Sequence, residues 1–187
     1  MKITALIPAR LSSTRFDRKL LMDLCGKSII LRTYESVVET GLFHSVYVVT
    51  EDKEIYNEIV NAGGNSILSK NKHESGSDRI AEACVSIDSD AFVNIQGDEP
   101  FIDSSSLNKL VFELNNSDHV SLMINISDIN EINDPNNVKV IVDSENYALY
   151  FSRSVIPFCR DVSTAEVTYY KHIGVYGFTK QALVNFS

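Results

Sequence analysis

The sequence predicts an α/β protein: a doubly wound, mostly parallel but mixed sheet with a smaller lobe appended. Three observations carry that expectation. Short β-rich runs alternate with longer amphipathic runs as far as residue 115, the pattern of strand–helix units that builds a parallel sheet. No apolar run exceeds five residues, which suits buried strands and is far too short to cross a bilayer. The connection after the first strand, about twenty residues, exceeds the ~12–15 usual for an unstructured connection. It stands where open α/β sheets take their ligands.

In chain order, strands are predicted over residues 2–7, 45–50, 66–68 and 91–95, each a short apolar run of β-forming residues. Helices are predicted over 28–40, 53–62, 78–87 and 104–115, where apolar residues recur three and four apart. Ser28, Ser77 and Ser104 stand as candidate N-caps, and Gly41 and Gly63 follow two helix ends. Beyond Asn116 the pattern loosens. Strands over 120–124, 138–142 and 172–178 outnumber helices there, so a lobe or an antiparallel extension of the sheet is expected. A last helical stretch, 180–186, runs to the end of the sequence, an odd place for a complete domain to stop.

The 187 residues suit one full-sized domain. With 17 Lys+Arg against 25 Asp+Glu the net charge is −8, so the basic face that coats nucleic acid is not expected. The apolar stretch from Ile3 to Ile7 is too short for a secretory signal and runs into Pro8. Cys25, Cys84 and Cys159 lie far apart and form no CxxC pair. They read as reduced thiols of a cytoplasmic protein, not as a disulfide frame or a zinc site.

The long connection reads Pro8-Ala9-Arg10-Leu11-Ser12-Ser13-Thr14-Arg15-Phe16-Asp17-Arg18-Lys19, four cations and one acid in twelve residues of an acidic chain. Guanidinium forks and hydroxyl donors suit a polyphosphate, and a lysine supplies a point charge near a transferring phosphorus. A solvated basic turn is the plain alternative; the position after the first strand favours phosphate. Neither a GxxxxGK(S/T) loop nor a GxGxxG fingerprint occurs in the chain. A second constellation, Asn94-Ile95-Gln96-Gly97-Asp98-Glu99-Pro100, puts a carboxylate at a strand end beside a glycine. Mg²⁺ commonly takes one or two carboxylates and fills its shell with water and substrate phosphate. Asp98 is the candidate ligand, and an acidic turn closed by Pro100 is the alternative.

Two further segments are weaker alone. Residues 73–79 contain Ser75, Gly76 and Arg79, which could present donors to a base; an N-cap at Ser77 or Asp78 is a sufficient account. Residues 150–160 and 170–177 hold Arg153, Arg160, His172 and several aromatics, which suit an acidic, hydroxyl-rich ligand such as a sugar acid. Their plain alternative is aromatic strand core, a satisfied histidine and surface arginines.

Together with Asp134-Pro135-Asn136-Asn137-Val138-Lys139-Val140, these segments resemble, in order and along essentially the whole chain, the 3-deoxy-manno-octulosonate (Kdo) cytidylyltransferase family, the CMP-Kdo synthetases. The resemblance implies the nucleotide-diphospho-sugar transferase fold, one domain over 1–187. Residues 1–115 would be a CTP- and metal-binding core, and 116–187 a sugar-binding and dimerisation part. It implies cytidylyl transfer from CTP to Kdo, giving CMP-Kdo and pyrophosphate for lipopolysaccharide synthesis, with Mg²⁺ as cofactor, in a homodimer without nucleic-acid or membrane partners. By the same resemblance Arg10, Ser13, Arg15 and Lys19 hold the triphosphate, and Ser75 and Arg79 contact the cytidine. Asp98 binds Mg²⁺, while Gln96, Arg153, Arg160 and His172 surround Kdo. Arg10, Arg15, Lys19 and Asp98 form the catalytic set.

Two departures stand out. The family usually reads Pro-Gly-Lys-Pro where this chain has Asp17-Arg18-Lys19-Leu20, which changes the backbone angles open to the loop. The family also continues past the counterpart of Ser187 into a segment bearing a second metal carboxylate. Two other readings stay open at this point: transfer to another sugar acid, such as sialic acid or amino-Kdo, and a truncated homologue that binds nucleotide without turnover.

Overall fold

The computed structural model describes residues 1–11, 18–71, 73, 75–160 and 167–186. Ser13 and Arg15, both assigned to phosphate by resemblance, lie outside the described residues. The elements in chain order are β1 (Ile3–Ala9), a 3-10 turn (Lys19–Leu21), α1 (Ile29–Glu39), β2 (Ser45–Thr50), α2 (Lys53–Asn61), β3 (Ser66–Leu68), α3 (Gly76–Cys84), β4 (Ala91–Asn94), α4 (Ser104–Glu113), β5 (His119–Ile126), α5 (Ile129–Asn133), β6 (Lys139–Val142), β7 (Ala148–Ser152), β8 (Tyr169–Thr179) and α6 (Lys180–Phe186). They fall into two compact units, Met1–Val120 with Val175–Ser187, and Ser121–Gly174.

In the first unit β3, β2, β1 and β4 lie side by side and parallel. The end of β8 runs antiparallel on β4, with Asn94 opposite Tyr176 and Ala91 opposite Thr179. All seven residues of β1 are buried, as befits a central strand of a parallel sheet. Leu6, Val49, Ile80, Cys84, Phe92, Phe178 and Leu183 pack into one cluster. Burying side chains of this size contributes about 1.5–3 kcal/mol each. A Cβ added to Gly177 would lie 2.8 Å from Leu110 and Leu114 side-chain atoms, so the glycine is what lets α4 pack onto β8.

The second unit is antiparallel. β6 pairs with β7, Val140 opposite Phe151, and with the start of β8, Val140 opposite Tyr170. Lys139 is fully buried, and its Nζ donates to Asp134 O at 3.0 Å and Asn137 O at 2.8 Å. Its charge thus braces the Asp134–Asn137 turn.

Several elements differ from expectation. Ser28 caps α1 as predicted, accepting from Leu31 N. The α3 cap is Ser75, two residues before Ser77, and Asp103 caps α4 in place of Ser104. In both cases the earlier side chain accepts from backbone amides of the first turn; α3 accordingly starts at Gly76, two residues before the predicted start, and α4 at the predicted Ser104. β7 is an additional strand, and its Leu149 and Tyr150 are 64% and 65% exposed, not core. Among the described residues, no helix is long and apolar enough to cross a membrane.

Candidate active site

The order β3-β2-β1-β4 makes the gap between β1 and β4 a topological switch point, because successive strands depart in opposite directions from β1. The register sets Leu6 beside Asn94 and Ile7 beside Val48, so the C-terminal ends of β1, β2 and β4 lie together. Two glycines close on Pro8 there. A Cβ on Gly97 would lie 3.2 Å from Pro8 O, and one on Gly76 would lie 3.1 Å from Pro8 Cγ. The turn after β4 and the start of α3 therefore both abut the end of β1, from which Arg10 follows exposed to solvent.

The cationic connection returns at Arg18. That residue adopts φ +57°, a left-handed conformation, at the position where the resembled family has glycine. The arginine thus keeps a glycine-like backbone, and the 3-10 turn begins directly after it. Lys19 Nζ lies 2.6 Å from Asp98 Oδ2, joining the segment after β1 to the turn after β4. That turn is fixed from below. Thr33 Oγ1, fully buried on α1, donates to Gly97 O at 3.0 Å, and Glu99 N donates to Gln96 O at 3.2 Å. Gln96 is half-buried and Asp98 exposed.

On α3 the Ser75 hydroxyl accepts from Asp78 N at 3.1 Å and donates to Asp78 Oδ2 at 2.7 Å. Arg79 is 2% exposed, with Nη2 3.5 Å from Glu51 Oε2 at the end of β2. Its Nε and Nη2, Glu51 Oε2 and Asn94 Oδ1 are buried without hydrogen-bond partners. Buried groups of this kind cost free energy unless an acceptor or donor meets them. The approach to α3 is organised by Glu82, whose carboxylate receives Ser69 Oγ, Lys70 N, Asn71 Nδ2 and, at 2.5 Å, His73 Nε2. Burial alone would push this carboxyl up. The Lys70 amide and the three side-chain donors outweigh that and bring it down to about 2.

Of the sugar-directed residues, Arg153, Arg160 and His172 belong to the second unit. Arg153 Nη1 donates to Pro135 O at 2.8 Å, holding the same turn that Lys139 braces. Arg160 is exposed. The His172 ring meets Phe151 edge-on at 5.1 Å, and burial lowers its pKa, so the imidazole is neutral at neutral pH.

Asp98 fits a magnesium ion held jointly with nucleotide phosphate. It is an exposed carboxylate at a strand end, beside a lysine, and Mg²⁺ needs only one or two protein carboxylates when phosphates complete its shell. Among the described residues no group of three His, Cys, Asp or Glu side chains forms a self-sufficient metal cage.

Sequence reasoning missed Thr33, Glu51, Asp52, Glu54 and Glu82. Asp52 stands directly before a predicted helix, which reads as an ordinary N-cap. Its carboxylate instead accepts from Leu11 N at 2.7 Å. No local pattern distinguishes those two uses.

Residues 4–187 match the sequence model of the cytidylyltransferase family. The chain is 54% identical over 191 residues to the 3-deoxy-manno-octulosonate cytidylyltransferase of Flavobacterium johnsoniae, covering 100% of this chain and 78% of that one. It is 55% identical over 190 residues to the enzyme of the same name from Christiangramia forsetii, covering 99% and 76%. A solved CMP:2-keto-3-deoxy-manno-octonic acid synthetase complexed with CTP superposes with a TM-score of 0.93 at 35% identity, over 100% of this chain and 77% of that one. The 4-diphosphocytidyl-2C-methyl-D-erythritol synthase of Anaerococcus prevotii superposes at 0.62 with 15% identity, over 98% and 74%, a likeness of fold alone. The chain belongs to the cytidylyltransferase family, among the 3-deoxy-manno-octulosonate cytidylyltransferases.

Proposed function

We propose that this protein transfers the cytidylyl group of CTP to Kdo, releasing pyrophosphate and forming CMP-Kdo. The observation that carries the reading is the meeting of Lys19 and Asp98 at the β1/β4 switch point. The sequence match to enzymes named for this activity extends over the whole chain. In the reaction the anomeric hydroxyl oxygen of Kdo bonds to the α-phosphorus. The bond from that phosphorus to the pyrophosphate oxygen breaks, and the hydroxyl proton is lost to solvent. Little covalent chemistry is asked of the protein, so positioning and charge neutralisation dominate.

Arg10 and Lys19, with Ser13 and Arg15, hold the triphosphate, and Lys19 offsets charge that builds on the departing oxygens. Arg79 offers to the cytosine its Nε and Nη2, which make no hydrogen bond although Nη2 lies 3.5 Å from Glu51 Oε2, with Ser75 fixing the start of α3 beside it. Asp98 would hold Mg²⁺, and the ion would supply further neutralisation of the triphosphate charge. Gln96, Arg153, Arg160 and His172 recognise the sugar acid; a guanidinium suits its carboxylate, and neutral His172 offers a hydrogen bond, not a charge. The exposed apolar side chains of β7 support a homodimer, and the three free thiols support a cytoplasmic setting. The test is pyrophosphate release with CTP and Mg²⁺ against Kdo, amino-Kdo and sialic acid. Kdo is expected to give the highest kcat/KM, and preference for another acid would overturn the assignment.

A further inference from the structure

We propose that Asp52 and Glu54, at the start of α2, are positioning residues for triphosphate binding, pinning Leu11 and Arg18 and thereby the adjoining cations Arg10 and Lys19. The inference rests on the reading above that Arg10 and Lys19 hold phosphate. Four contacts form a closed ring. Asp52 Oδ2 accepts from Leu11 N at 2.7 Å. Leu11 O accepts from Arg18 N at 3.1 Å. The Arg18 guanidinium engages Glu54 with both fork nitrogens, Nη1 reaching Oε1 at 3.2 Å and Nη2 pairing with Oε2. The α2 backbone, with Asp52 and Glu54 two residues apart, closes the circuit.

Two features point to placement and away from simple stabilisation. Asp52 occupies the N-cap position of α2 yet makes no side-chain cap bond, so its carboxylate is diverted from the helix's own amides to Leu11. Arg18 and Glu54 are 52% and 56% exposed, and pairs this exposed add little stability. Within the ring Arg18 adopts a left-handed conformation, which non-glycine residues keep only when their surroundings enforce it. Arg10 directly precedes Leu11 and Lys19 directly follows Arg18, so the ring sets where both cations leave the backbone.

The experiment is titration of the wild type and variants with CTP and Mg²⁺, alongside thermal melts. Asp52→Ala is expected to weaken CTP binding roughly tenfold, because a displacement of about an ångström is costly in a preorganised site. The KM for Kdo should stay put, and Asp52→Glu should restore part of the loss. Glu54→Ala should weaken CTP binding a few-fold, and that effect should vanish in an Arg18→Gly background, where the pair is already gone. Unchanged CTP affinity in Asp52→Ala, or a Glu54→Ala effect that persists beside Arg18→Gly, overturns the proposal. If Asp52→Ala does not fold, the Arg18–Glu54 cycle decides. A wild type that prefers another nucleoside triphosphate overturns the CTP reading alone, and the ring is then tested with that triphosphate. A wild type that binds no triphosphate overturns both.

Discussion

Lys19 Nζ and Asp98 Oδ2 stand 2.6 Å apart, bridging two segments 79 residues apart in the chain. Both side chains are about two-fifths exposed, at 44% and 41%. An ion pair this open contributes only about 0–1 kcal/mol, so stability is a poor reason for holding the two together at a strand-end crevice. Placing a cation and a metal-competent carboxylate side by side is a better one. Asp98→Asn is therefore expected to leave the melting curve almost unchanged and to abolish the Mg²⁺-dependent part of CTP binding. Calorimetric titration with and without Mg²⁺ checks it; an unaltered Mg²⁺ dependence would remove Asp98 from the metal site.

The proposed contact of Arg79 with cytosine predicts that this residue sets the choice of base. A hydrogen bond to a charged group is worth about 1.5–3 kcal/mol, so losing the guanidinium should weaken CTP binding roughly ten- to a hundredfold. Removing Arg79 alone would strand the Glu51 carboxylate, which lies 3.5 Å from Nη2, so the clean variant is Glu51→Gln with Arg79→Met. Competition between CTP, UTP, ATP and GTP should show wild-type preference for CTP, largely lost in the double variant. Retained selectivity would place base recognition elsewhere.

Glu82 gives the fold an acid-sensitive point. Its folded carboxyl titrates at about 2 against an ordinary 4.5. The native state therefore binds that proton less readily than the unfolded chain. Its stabilising contribution is present above about pH 4.5 and fades as the pH falls toward 2. Glu82→Gln should lower the urea midpoint at pH 7 and change it much less at pH 3. Equal losses at both values would mean that charge plays no part in holding the Ser69–His73 approach to α3.

Gly177 tests the packing of α4 on β8. A methyl group there would sit 2.8–2.9 Å from Leu110 and Leu114, side chains that are themselves buried. Overpacking of this kind costs about 1–3 kcal/mol, so Gly177→Ala should lower the melting temperature clearly. Leu114→Ala in the same chain should recover part of the loss. A neutral Gly177→Ala would show that α4 moves freely against the sheet.

Local pattern determined a good deal about this protein. The alternation of apolar strands with amphipathic helices is set by periods of two and 3.6 residues, which are properties of the chain itself, and strands such as Ser45–Thr50 and Ser66–Leu68 fall where that pattern puts them. Ser28 as a cap and the positive φ at Gly41 and Gly63 are local chemistry too, written in one or two residues. The segments around Arg10, Lys19, Arg79 and Asp98 were legible as motifs for the same reason. Tertiary structure alone decided which of them meet. The strand order that sets β1 beside β4, and so Lys19 beside Asp98, depends on contacts between residues far apart in sequence. It also decided that Asp52 serves Leu11 and not its own helix, that Arg18 takes a glycine-like backbone, and that Leu149 and Tyr150 face outward. A carboxylate at a helix start, an arginine in a loop and an aromatic strand each have several low-energy uses. The chain's neighbours in space select among them.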